Sequence, residues 1–333
     1  MLVAAAAGWR WYSNVQGART AHQEAGVGYA AERARLLMEF PDRLRETSGV
    51  AVSRANPGIF WTHNDSGDGP TVYGVRPEDG QILEYHLDGA PARDWEDIDL
   101  AACPFPSERA CLFIGDIGDN LGRRSSVSIL IAEEPVVSEE GPGEVEPESR
   151  QIPWRHLVAT FEDGPRDAEA LAVDDAGRLM VVSKGREGAH RVYVIQPEEV
   201  AGAGSDDPAV TLSFFGELPV PPVWFIGKVV TGGAFADGEL VVRTYTEVFF
   251  QRLEGAAWTE SRPPCFVGHL GPGGEGLDIA DDGRVYLTRE GNSNRPAGLD
   301  EADCSVEQRN TSGQVVGSSS KRSISAKRSA ASG

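Results

Sequence analysis

The chain repeats itself. A short apolar strand opening on a small or acidic residue, a tight turn, and a second strand rich in β-branched residues recur five times. The first copy covers residues 46–52, turns at Asn56-Pro57-Gly58 and resumes at 59–62. The second covers 94–100 and, after a cysteine-flanked loop, 112–115. The third covers 167–173 and 179–182, with Asp174-Asp175-Ala176-Gly177 between them. The fourth covers 231–235 and 240–242 around Asp237-Gly238, and the fifth 274–279 and 285–288 around Asp281-Asp282-Gly283. Asp-Gly between two alternating apolar runs is a strong hairpin signal. A third strand is expected after most copies (71–75, 127–132, 191–195, 247–252), and a fourth at 82–87, 156–161 and 211–215. Four antiparallel strands per repeat predict an all-β chain, a single β-propeller of five or six four-stranded blades.

The propeller is expected over residues 41–304. Residues 1–40 form a lead with a short helix expected over 21–38, and 305–333 a Ser/Lys/Arg-rich tail whose low apolar content predicts disorder. A sixth blade has room in the N-terminal segment, the 133–153 insert or the C-terminal end. Residues 1–8 are apolar but lack the basic flank of a secretory signal.

Propeller geometry turns sequence position into location. The inner strand of each blade starts at one face beside the central channel, and the link from second to third strand returns to that face. The strand-opening residues are Ser48, Glu96, Glu169, Gly232 and Glu275, preceded two residues earlier by Glu46, Asp94 and Asp167 in the first three copies. After the second strands come His63-Asn64-Asp65-Ser66-Gly67-Asp68, then Asp116-Ile117-Gly118-Asp119-Asn120, then Ser183-Lys184, Arg243-Thr244-Tyr245 and Arg289-Glu290. The opposite face receives tight turns. One face is therefore rich in carboxylates.

Oxygens from several blades aimed at one axis suit a hard cation, and calcium takes about 6–8 oxygen ligands in a flexible shell. The expected metal ligands are Glu96, Glu169, Glu275, Asn64, Asp116, Asp119 and Asn120. His63, Asp65 and Asp116 are the candidates for proton transfer. Lys184, Arg243 and Arg289 would hold an anionic ligand or offset the carboxylates. The competing reading is that each acidic side chain accepts hydrogen bonds from backbone N–H groups of its own blade.

The formal net charge of −20, from 51 acidic and 31 basic residues, repels phosphate backbones and argues against nucleic acid as a partner. No apolar run is long enough to span a bilayer, so no membrane span is expected. The expected partner is a small molecule or peptide at the propeller face, and the expected state a monomer. Cys103 and Cys111 would staple a hairpin, and Cys265 and Cys304 would tie the C-terminal region to the body. An even cysteine count without zinc-ligand spacing favours an oxidising compartment, secreted or periplasmic.

The strings HNDSGD (63–68), DWEDI (94–98) and GDIGDN (115–120), with the later Glu169 and Glu275 copies, resemble a group of uncharacterised bacterial secreted propeller proteins. The resemblance covers roughly residues 45–292 and implies the fold without an activity. More distantly, an axial cation held by Glu, Asn and Asp is similar to the gluconolactonase and senescence-marker-protein propellers. That likeness implies a divalent metal polarising a lactone or ester carbonyl, although the motifs do not align residue by residue. Two readings stay open: a calcium-binding propeller with a ligand site, and a metal-dependent hydrolase of lactones, esters or phosphoesters.

Overall fold

A computed structural model describes residues 35–137, 150–186, 188–204, 209–221, 229–267 and 273–304, together with the backbone of 308–309 and 315–316. Strand β1 (Arg35–Glu39) comes first among the described residues and last in the architecture. Four units then follow in order: β2 (Thr47–Val52) to β5 (Gln81–His86), with β3 Phe60–Asn64 and β4 Thr71–Arg76; and β6 (Trp95–Ala102) to β9 (Trp154–Phe161), with β7 Ala110–Asp116 and β8 Val127–Glu133. Next come β10 (Ala168–Val173) to β13 (Val210–Leu218), with β11 Leu179–Ser183 and β12 His190–Ile195. The fourth runs from β14 (Val230–Ala236) to β17 (Ala257–Phe266), with β15 Glu239–Thr244 and β16 Glu247–Glu254. The fifth is β18 (Gly274–Ile279), β19 (Val285–Arg289) and β20 (Gly298–Ala302), completed by β1 on the outside of β20.

Among the described residues there are thus five four-stranded antiparallel units, the second and third joined where β13 runs parallel to β9. The inner strands touch in the order β2, β6, β10, β14, β18 and back to β2. This is the propeller that the repeats predict. Pairing with β1 gives the last blade its fourth strand and covers the outer side of β20.

Three strands escape the sequence pattern, and each for a physical reason. β1 reads RLLME, a helix-forming composition, so the helix expected over 21–38 is corrected at 35–38; pairing with β20 overrides local propensity, and the domain reaches back past residue 41. The rest of that helix lies outside the described residues. β17 carries Pro263 and Pro264, which a strand tolerates only on the sheet's outer edge, where β17 sits. β20 is a short GLDEA stretch without alternation. A single-turn helix α1 (Pro197–Ala201) links the third blade's last two strands. Most of the 133–153 insert and of the tail also lies outside the described residues.

Both expected disulfides are present, Cys103–Cys111 stapling the β6–β7 hairpin and Cys265–Cys304 tying β17 to the chain after β20. Among the described residues no helix is long and apolar enough to cross a membrane. The core is a series of apolar clusters between adjacent blades. Trp61, Trp95, Leu112 and Ile114 join the first two, and Ala170, Val182, Val242 and Phe249 the third and fourth.

Candidate functional site

Every inner strand carries a β-bulge near its start. The register slips between Thr47 and Val50, Trp95 and Asp97, Ala168 and Ala170, Val230 and Gly232, and Gly274 and Leu277. The extra residues are Ser48, Glu96, Glu169, Thr231 and Glu275. A bulge inserts one residue that the partner strand does not match and re-aims its side chain. The fourth blade's equivalent position is therefore Thr231, not the Gly232 read from the sequence.

Two of these five positions tie blades together. Ser48 Oγ donates to the Glu96 carbonyl at 2.5 Å, and Thr231 Oγ1 donates to the Gly274 carbonyl at 2.8 Å. Gly232 lets these backbones meet, since a Cβ there would stand 2.5 Å from the Glu275 carbonyl oxygen. The three glutamates are left to face one another and the loops.

Around Glu96 the carboxylates converge. Single oxygens of Asp65, Asp94 and Glu96 lie within 4.8 Å of one another, and so do those of Glu96, Asp167 and Glu169. Glu96 belongs to both groups. Two oxygens bound across a calcium ion at about 2.4 Å are at most about 4.8 Å apart, so each group has the span of a single hard cation. Asp65 comes from the β3–β4 link, Asp94 and Glu96 from the start of β6, and Asp167 and Glu169 from the start of β10. The loops are fixed by backbone bonds: Asp65 N–H donates to the Glu46 carbonyl at 2.8 Å, Trp95 N–H to the Asp65 carbonyl at 2.9 Å, and Lys184 N–H to the Asp167 carbonyl at 2.9 Å.

Charge crowding marks the site. Burial, followed by the carboxylates of Asp65, Asp94 and Glu275, holds Glu96 well above the usual carboxylate range, against the pull of Lys184. Burial and then Asp94, Glu290 and Glu46 raise Asp65 to about 7. Burial and Glu290 raise Glu275 to about 8, while Arg243 and Lys184 pull it down. Lys184 forms a buried ion pair with Glu169. Asp65 Oδ1 and Asp167 Oδ2 are buried without a hydrogen bond, the latter having the Arg186 guanidinium at 3.7 Å. A buried oxygen without a donor is costly to keep.

Other expected site residues are engaged elsewhere. Asp116 Oδ1 accepts from Arg124 at 2.8 Å and from Asp94 N–H at 3.1 Å, bracing the loop behind Asp94; its Oδ2 is buried without a partner. Asp119 Oδ2 accepts the Arg124 N–H at 2.7 Å, and Asn120 Oδ1 accepts from Arg186 at 2.7 Å. The Asn64 amide donates to the Arg43 carbonyl at 2.7 Å and to Asp68 at 2.8 Å. His63 is fully buried, edge-on to Trp95 at 5.6 Å, with Nδ1 3.1 Å from the Asn64 carbonyl. That burial puts the ring under the face and lowers its pKa to about 4. Arg243 is buried, donating to the carbonyls of Gly276 at 2.8 Å and Thr288 at 2.6 Å, and Arg289 is locked in a buried pair with Asp300. Only Lys184 of the three expected cationic residues is in the cluster.

Asp94 and Asp167 are the ligand candidates that the sequence reading undervalued. Their signal was present: Asp94-Trp95-Glu96 and Asp167-Ala168-Glu169 are the same D-x-E step in adjacent blades. The competing reading had acidic side chains accept N–H groups of their own blade; a second, deeper set does accept backbone N–H groups, but largely across blades. Asp97 Oδ2 accepts N–H groups of both Leu171 and Gly233 at 2.9 Å, and its Oδ1 accepts Ile98 N–H at 3.0 Å, joining three blades. Asp99 accepts Val173 N–H at 2.6 Å and Asp278 accepts Val52 N–H at 2.6 Å, each linking neighbouring blades.

No protein-family model matches the sequence, and no curated protein does. Solved structures of similar shape include the PQQ-bound aldose sugar dehydrogenase of Streptomyces coelicolor, at 13% identity and a TM-score of 0.42 over 81% of this chain and 98% of that one. A glucose dehydrogenase matches at 13% identity and a TM-score of 0.46 over 82% and 99%. A luciferin-regenerating enzyme matches at 10% identity and 0.43 over 79% and 94%. Likeness at these scores says nothing about the chemistry of this chain.

Proposed function

We propose that the carboxylate-rich face binds a divalent cation, calcium, and presents it to a ligand. The observation that carries this reading is Glu96, shared between two groups of carboxylate oxygens that each have the span of one ion. The Asp65–Asp94–Glu96 group is the better seat. Lys184 is paired with Glu169 in the other group, and reaches this one only through the shared Glu96. Its oxygens are hard donors, it has no His or Cys to favour a softer metal, and Asp65 Oδ1 is buried with no hydrogen-bond donor among the described residues. A bound cation would relieve the mutual repulsion that raises Asp65 and Glu96. The two disulfides support an oxidising, extracytoplasmic setting.

A hydrolase acting on lactones, esters or phosphoesters is the second reading, favoured by Asp65. Burial and its acidic neighbours raise Asp65 in the absence of a cation; a bound cation would lower it again, leaving a carboxylate able to accept a proton from water or substrate. The cation would supply Lewis acidity. Calorimetric titration of the chelated protein with calcium tests the first reading, with Glu96→Gln as the variant that abolishes binding. Turnover of lactones, aryl esters and phosphoesters with and without chelator separates the second from it.

A further inference from the structure

Behind Asp94 and Gly118 the same face opens into a cleft of about 390 Å³ lined by Ser66, Asn120, Leu121, Arg93, Arg123 and Arg124, among others. Three arginines in one cleft run against the composition of a chain with net charge −20. The carboxylates of Asp94 and Asp119 also line the cleft, and Arg124 pairs with Asp116. Arg93 and Arg123 are exposed and make no ion pair with a described residue. Arg124 is braced by its 2.8 Å bonds to Asp116 and to the Gly118 carbonyl, yet its Nε is buried without an acceptor.

A second arginine-lined cleft on this face shows the difference. There Arg166 and Arg191 both pair with Asp163, at 2.8 and 2.7 Å, and Arg186 bonds Asn120. Its guanidinium groups are spent on the protein. In the Arg93–Arg123 cleft two guanidinium groups pair with no described residue and are open to a ligand.

We propose that this cleft binds the anionic group, phosphate or carboxylate, of a small organic ligand. Arg93 and Arg123 hold the anion as planar, multi-donor forks. Arg124 contributes positive charge from below, and Leu121, 72% exposed at the rim, covers the organic part. Asp94 borders both the cleft and the cation cluster, so the ligand's next polar group falls beside the ion. That last step rests on the cation reading of the site; capture of the anion does not.

The test is calorimetric titration of the full chain with inorganic phosphate and, in a separate arm, acetate, each with calcium and with chelator. Arg93→Gln/Arg123→Gln is compared with Arg284→Gln, which removes an exposed arginine in the fifth blade. Saturable binding of either anion, weakened about tenfold or more in the double variant and unchanged in Arg284→Gln, is the expected result. The arm that binds identifies phosphoryl or carboxylate as the group recognised. Both cleft arginines are exposed, and an unchanged melting temperature verifies that the double variant folds. No saturable binding of either anion to the native chain, or equal weakening by Arg284→Gln, would overturn the proposal. Calcium content is measured on the same samples. A chain without calcium that still binds phosphate through its arginines sinks the cation reading alone, and a calcium-holding chain without anion binding sinks the cleft alone.

Discussion

Gly118 stands where a side chain would collide with Glu96. A Cβ at that position would overlap Glu96 Oε1 and Asp94 Oδ2, and would lie 2.5 Å from Asp94 Cγ. Gly118, in the loop after β7, thus lies against the carboxylate cluster. Its backbone also holds the loop, with Gly118 N–H donating to the Asp94 carbonyl at 3.2 Å and its carbonyl accepting from Arg124.

Gly118→Ala follows from that contact. The colliding atoms are the ends of side chains, which can move at small cost to the fold, but moving them spreads Glu96 from Asp94. Calcium affinity should fall about tenfold or more, the range for disturbed support of metal ligands. The melting temperature of the chelated variant should match that of the native chain. Titration calorimetry and a thermal melt read the two effects separately.

The pH dependence has a definite sign. Asp65 and Glu275 have ordinary values of 3.8 and 4.5 unfolded and are raised to about 7 and about 8 when folded. A carboxyl raised on folding stabilises the chain fully below its unfolded pKa, and that contribution is lost as pH rises through the folded value. The chelated protein should therefore melt at steadily lower temperature between about pH 4 and pH 8. Calcium should restore stability most at the alkaline end of that window, with proton release on binding. Calorimetric melts across that range with and without calcium check both statements, and Glu275→Gln should flatten the upper part of the chelated curve.

Asp97 predicts a purely structural effect. Its carboxylate accepts three N–H groups from three blades, and an amide in its place would turn a donor toward donors. Asp97→Asn should cost about 2–4 kcal/mol in urea unfolding, the scale of a buried acceptor lost with several backbone partners left unsatisfied. Calcium stoichiometry in the folded fraction should be unchanged.

The two disulfides should differ in worth. Cys265–Cys304 closes 39 residues and fastens the fourth blade to the fifth, while Cys103–Cys111 closes only 8 within one hairpin. In the chain-entropy treatment the first contributes about 4 kcal/mol and the second about 2.5 kcal/mol. Paired Cys→Ser variants compared by equilibrium unfolding should keep that order.

How far the sequence carries is visible in particular residues. The hairpin turns are legible because Asp237 and Gly238 both need positive φ, at 54° and 77°, and the sequence supplies Asp-Gly there. Glu96, Glu169 and Glu275 are legible because repetition aligns them. Strand β1 is not, since nothing in RLLME announces a partner 260 residues away; that pairing is a property of ring closure. The bulges were not legible either, and without them Gly232 takes the place that belongs to Thr231. The division of acidic residues into a carboxylate cluster and a backbone-bonding set was out of reach for the same reason. Glu96 and Asp97 are neighbours in sequence, yet the bulge turns one toward the open face and leaves the other buried among N–H groups of three blades.

The most direct test of the central claim is elemental analysis of the purified native chain and of Glu96→Gln, before and after chelation and recalcification. The cation reading predicts at least one calcium per native chain, removed by chelator and regained with calcium, and none in Glu96→Gln. A native chain that holds no calcium after recalcification, or a Glu96→Gln variant that holds as much as the native, would contradict it.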